Sequence, residues 1–177
     1  MNFKGIVIFA LMSGLMVSAM DKPITASDNE AEKAIVAKVI HDSICWALTK
    51  DRALQESTMA HDADLMIIWT DSSLAVSGWT EYLKLFDTWM DPRFKATLTE
   101  IRDLRIHMYE GGTVAWFSAL LDDLSEWDGK PTGARDIRWT GVLEKRKGKW
   151  VFVQMHGSQG ADKVLEKARQ QKTGPGQ

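Results

Sequence analysis

The chain has a single cysteine, Cys45, in 177 residues. An intrachain disulfide is therefore excluded, and the fold must rest on its core. Cys45 lies in an apolar helical pattern, where a cysteine acts as a small buried hydrophobe. A lone catalytic thiol is the other role open to it. Excess charge is lacking too. With 22 basic against 24 acidic residues the net charge is −2. No basic field points to nucleic acid, and no acidic block to a solvating tail. The four histidines, His41, His61, His107 and His156, show no metal-ligand spacing with carboxylates or with Cys45. No glycine-rich phosphate loop is present, since Gly111-Gly112 reads as a hairpin turn. Neither a metal nor an organic cofactor is expected. Beyond the N-terminus, no apolar run approaches the roughly 20 residues a spanning helix needs.

The N-terminus has its own pattern. Lys4 is the only charge before Asp21, and Gly5 to Val17 is mostly apolar. A positive start, an apolar run and the small-residue site Val17-Ser18-Ala19 match a secretory signal, expected to be cut after Ala19. The expected compartment is periplasmic or secreted, with no membrane attachment after cleavage. Residues 20–27, with Pro23, read as a flexible leader.

The remainder is ordinary globular sequence, 45% hydrophobic and 26% charged, enough for one domain. Ser27-Asp28-Asn29-Glu30 fits a capping box. The helix it opens is expected to run to about Lys50, with Ile35, Val36, Val39, Ile40, Ile44, Ala47 and Leu48 at three-to-four spacing. Asp51 can cap a shorter second helix through Leu54 and Met59. The apolar run 64–70 reads as a strand, and Asp71-Ser72-Ser73 as a turn. A third helix carries Trp79, Tyr82, Leu83, Leu85 and Phe86 and stops at Asp91-Pro92.

From Lys95 the period becomes two, and four strands in hairpin succession are expected. They cover 95–109, 113–121, 135–145 and 150–155, with a turn-rich connection over 128–133 and a tight basic turn at 146–149. A short charged helix follows Gly160, and a disordered tail ends the chain. Helices first and a meander after define an α+β domain, with the helices covering one face of the sheet.

Several segments resemble the nuclear-transport-factor-like superfamily, and within it the SnoaL-like group. They are Ser43-Ile44-Cys45-Trp46-Ala47 in the first helix, Gly78-Trp79 before the third, and the C-terminal hairpin. That hairpin reads Arg138-Trp139-Thr140-Gly141-Val142-Leu143-Glu144-Lys145-Arg146, then Gly148-Lys149-Trp150, then Gln154-Met155-His156-Gly157-Ser158. The calcium/calmodulin-dependent kinase association domain is similar. The resemblance covers residues 28–158 and leaves 159–177 as a C-terminal helix and tail. It implies a cone-shaped domain, in which a curved antiparallel sheet wraps the N-terminal helices around a pocket. It also implies a homodimer through the outer sheet face.

Eight tryptophans are many for this length. Each can fill the core or line a flat apolar pocket, its indole N–H orienting a ligand. Strand alternation puts Trp116, Ser118, Leu120 and Asp122 on one face of their strand, and Ala115, Phe117, Ala119 and Leu121 on the other. Trp150, Phe152, Gln154 and His156 are expected in register. Sequence alone does not assign the faces, and a bulge would flip them. His156, ending a strand, can be a general base, a donor to a ligand, or a histidine satisfied by Ser158 or the backbone. Asp122 and Asp123 can present a carboxylate at the pocket rim.

The expected catalytic candidates are therefore His156 and Asp122. The expected pocket residues are Trp69, Tyr82, Trp116, Ser118, Trp139, Gln154 and His156. Three functions fit this reading: binding a small apolar or aromatic ligand, cofactor-independent isomerase, dehydratase or cyclase chemistry on a hydrophobic carbonyl compound, and oligomerisation. An enzyme requires a carboxylate or imidazole of perturbed pKa beside an oxyanion donor. A binding protein requires only aromatic walls with paired polar groups.

Overall fold

The structure, a computed structural model, describes residues 26–70, 75–163 and 165–166, and of 26–28 the backbone only. The expected signal segment, the leader up to residue 25, the turn at 71–73 and the last residues of the tail lie outside the described residues. The helices are α1 (Ala26–Cys45), α2 (Arg52–Ser57), α3 (Trp79–Leu83) and α4 (Phe86–Trp89). The strands are β1 (Met66–Ile68), β2 (Ala75–Ser77), β3 (Phe94–Met108), β4 (Val114–Trp127), β5 (Lys130–Arg146) and β6 (Lys149–Ser158). They form one sheet in the order β2-β1-β6-β5-β4-β3.

The first helix is shorter than its apolar pattern predicts. It begins at Ala26, which puts Ser27 inside the helix rather than at its cap, and it ends at Cys45. A 3₁₀ turn over Trp46–Leu48 follows. That change of pitch leaves Leu48 facing solvent, while Ile35 is exposed within α1 itself; Val36, Ile40, Ser43 and Trp46 are buried. Asp51 caps α2 as expected, its side chain accepting from the Leu54 amide at 2.9 Å. The expected third helix is broken at Lys84–Leu85 into α3 and α4.

The sheet is mixed rather than wholly antiparallel. β1 runs parallel to β6, with Met66 opposite Gln154 and Ile68 opposite His156. β2, which the sequence pattern hid inside the approach to α3, adds an antiparallel edge to β1. The four long strands are the expected meander, but β4 and β5 reach further. Two residues, Asp128 and Gly129, turn between them with φ of 52° and 72°. Two successive positive φ values make the turn whose twist matches the flanking strands.

Three of the long strands carry irregular registers, which bend the sheet over α1. On β3 the register shifts between Arg102 and Arg105, on β5 opposite Asp122, and on β6 at Val153. Inside the curve lie Ala115, Phe117, Leu121, Ile137, Trp139, Leu143 and Phe152, all buried with Val36 and Ile40 of α1. Trp139 stacks on Phe152 at 6.4 Å and stands edge-on to Phe117 at 4.9 Å. A buried aromatic at such a position contributes about 3–5 kcal/mol on truncation.

Candidate functional site

A cavity of about 100 Å³ lies between α1 and the inner face of the sheet. Its walls are largely aromatic: Trp46 from the 3₁₀ turn, Trp69 after β1, Tyr82 of α3, Trp89 of α4 and Phe94 at the start of β3. Ser43, Gln55, Ile67, Leu85 and Met155 complete much of the remainder. Its rings hold one another in place. Trp89 meets Trp46 at 5.6 Å and Tyr82 at 5.7 Å, both edge-on. Trp69 lies over Gly157, where a Cβ would come within 2.9 Å of the indole.

One charged side chain lines this cavity, Asp123. On β4 the alternation holds, so Asp123 shares the inner face with Leu121 and Phe117, and Asp122 faces outward. Among the described residues, no hydrogen bond or ion pair reaches the Asp123 carboxyl. Burial among apolar groups pushes it up to about 6. Directly opposite on β3 is Thr99, whose buried hydroxyl also has no partner among the described residues.

Tyr82 is the second polar group of interest. Gln55 Nε2 donates to the Tyr82 hydroxyl. Thr58 Oγ1 donates to the Gln55 backbone carbonyl at 2.7 Å, with Gln55 Oε1 a longer contact at 3.3 Å. Tyr82 thus acts as an acceptor within the wall and keeps its own O–H to donate. Burial pushes the phenol well up, so that proton stays on at any physiological pH. Ser43 donates to the Ile40 carbonyl at 2.8 Å, which leaves its oxygen as an acceptor.

Asp122 has a different environment. Its residue is 4% exposed although it points away from the cavity, because arginines cover it. It accepts from Arg102 Nη2 at 2.8 Å, Arg135 Nη1 at 2.6 Å and the Asp136 amide at 2.9 Å. Burial alone would push its carboxyl up, but the Asp136 amide and the two guanidinium groups outweigh that and hold it below the usual range. Asp122 therefore pins the irregular stretch of β5, where Arg135 and Asp136 together oppose it.

Of the residues expected in the pocket, Trp69 and Tyr82 line it. Trp139 lies behind the wall, fully buried and edge-on to Trp69 at 6.4 Å. Trp116, Ser118 and Gln154 instead border a shallow hollow on the outer face with His107. Trp116 is 44% exposed there and stacks on His107 at 5.6 Å. The expected register of Gln154 and His156 with Phe152 fails because Val153 is an extra residue. Beyond it Met155 and Gly157 turn inward, and Gln154 and His156 turn outward. His156 is only half-buried and does not line the cavity. The expected pair of His156 and Asp122 is thus not brought together on the pocket side.

A curved sheet closed by helices over a small apolar pocket defines a nuclear-transport-factor-like α+β domain. Residues 36–162 match the model of the SnoaL-like domain, and the chain belongs to that family. Solved structures agree on the fold. A putative dehydratase of the family from Streptomyces avermitilis superposes with a TM-score of 0.64 at 16% identity, over 75% of this chain and 98% of that one. A hexachlorocyclohexane dehydrochlorinase gives 0.60 at 17%, over 75% and 88%. A putative calcium/calmodulin-dependent kinase II association domain from Exiguobacterium sibiricum gives 0.59 at 12%, over 72% and 92%. At these identities the likeness is one of fold. No curated protein sequence matches this chain.

Proposed function

We propose that the pocket is the active site of a cofactor-independent enzyme that moves a proton on a small, mostly apolar carbonyl compound. One observation carries the reading. An unpaired carboxyl, Asp123, shares an otherwise uncharged aromatic cavity with a hydroxyl, Tyr82, whose proton is free to donate. A base that attacks a C–H bond next to a carbonyl needs this couple: a carboxylate made more basic by burial, and a donor for the oxygen that gains charge. Asp123 would take the proton from the α-carbon, Tyr82 would hold the enolate oxygen, and Asp123 would return the proton at the γ-carbon. If a β-leaving group departs instead, the same first step gives an elimination. The dehydratase and dehydrochlorinase among the similar structures support an elimination by their names.

Cyclohex-3-enone is a probe small enough for the cavity. Conversion to conjugated cyclohex-2-enone, read by ultraviolet absorbance, is expected above the buffer rate. The rate should rise with pH through about 6 and then level, because the base must be ionised to act. A flat profile between pH 4.5 and 8 would remove Asp123 from the reaction.

Binding without turnover is the second reading, favoured by the predominance of aromatic wall over polar groups. Export is part of the proposal and rests on the residues around Val17-Ser18-Ala19. N-terminal sequencing of the mature protein should begin at Met20; an intact Met1 would refute it. The outer face, with Trp116, Met66 and Ile68 exposed, is the surface we propose for a second copy.

A further inference from the structure

We infer that the same pocket binds a small organic ammonium ion, its charge beside Asp123 and its alkyl groups against the aromatic rings. The inference uses the carboxylate of the reading above but does not require turnover. It starts from an imbalance. Buried charges are ordinarily paired, yet the lining of this cavity offers Asp123 no cation. Arg102 and Arg135, the nearest guanidinium groups along the sheet, are both committed to Asp122 on the opposite face. Among the described residues nothing else is placed to pair an ionised Asp123, which leaves the place to a bound cation.

Everything else in the lining suits a cation with an apolar skin. Trp46, Trp69, Tyr82, Trp89 and Phe94 line the same cavity as one carboxylate. Rings of this kind attract an ammonium through their quadrupoles, and a methylated ammonium loses little hydration on leaving water. An anionic compound finds the reverse: one negative charge and no cation in the lining. A carboxylate or phosphate ligand is thereby disfavoured. An ammonium ion seated here would also hold Asp123 ionised and occupied, so it would inhibit the proton transfer proposed above.

Choline and 3,3-dimethylbutan-1-ol have the same shape and differ by the charge. Calorimetric titration of the protein with each at pH 8 is expected to give choline an advantage of roughly tenfold or more. The advantage should shrink as pH falls below about 6. The other titratable groups that face Asp123 do not interfere in this range. Tyr82 of α3 and Cys45 of α1 are both pushed up by burial and stay neutral. The variant Asp123→Asn should bind the two compounds equally. Equal binding by the native protein, no binding of choline, or a preference that persists in Asp123→Asn would overturn the inference. If that variant does not fold, the pH dependence in the native protein decides alone. Cyclohex-3-enone turnover without choline preference would leave the enzyme reading standing and remove this one.

Discussion

Replacing Asp123 by Asn is expected to cut the isomerisation of cyclohex-3-enone by about 10²–10⁴-fold, the usual contribution of a positioned general base. The same substitution should make the protein more stable. The Asp123 carboxyl is raised by burial from 3.8 to about 6, so the folded state prefers it protonated. That preference is fully present below the unfolded value and is lost as pH rises through about 6. Above that pH the native protein carries the cost of a buried charge, on the order of 2–3 kcal/mol. Asparagine has no charge to bury. Urea denaturation at pH 8 should therefore show a higher midpoint for Asp123→Asn, and the difference should vanish near pH 4. Gain of stability with loss of turnover is the mark of a residue kept for chemistry. A variant that is both less stable at pH 8 and fully active would sink this assignment.

Gly133→Ala is expected to destabilise the fold by about 3 kcal/mol or more. Gly133 lies in β5 opposite Leu124, with φ at 89°. An alanine there meets two costs. The left-handed region alone is worth about 1–2 kcal/mol against a residue with a Cβ. The new methyl would also overlap the Asp123 carbonyl oxygen and stand 3.0 Å from the Leu124 Cα. Those are backbone atoms of a central strand and cannot step aside as a side-chain tip can. A domain of this size should lose roughly 10 °C of melting temperature. Strand β4 is pressed at the residue that bears the proposed base, so turnover should fall in the fraction that still folds. A melting point within a degree or two of the native protein would show that the close approach is not there.

The fold was largely legible because its strongest signals are local. The period-two stretches from Lys95 onward and the Asp128-Gly129 turn each speak within a few residues. On β4 the alternation also separated Asp122 from Asp123, and following Leu121 inward would have favoured Asp123 over Asp122. The structure departs from the sequence pattern where one strand carries an extra residue. Val153 is silent in sequence, yet its insertion reverses every side chain after it and carries Gln154 and His156 outside. β2 is three residues long and its partner is set by tertiary contacts, so no pattern marks it. The parallel joining of β1 to β6 links residues far apart in sequence, which alternation does not report. Trp46 and Ser43 were within reach, three residues apart on the buried stripe of α1. Trp89 and Phe94 flank the stop at Pro92 and gave no periodic clue.

The parallel pairing of β1 with β6 also sets an order in time. Met66 can meet Gln154 only when nearly all of the chain is available, and such distant pairings wait on loop closure. Until β1 reaches β6, Ile67 and Trp69 have no Met155 or Gly157 to pack against, and the cavity lacks one side. Helix α1 and the β3–β6 meander, whose pairings are local, can assemble earlier around an open seam. The pocket is therefore expected to form last, and a chain caught before that point to be largely structured yet unable to hold a ligand.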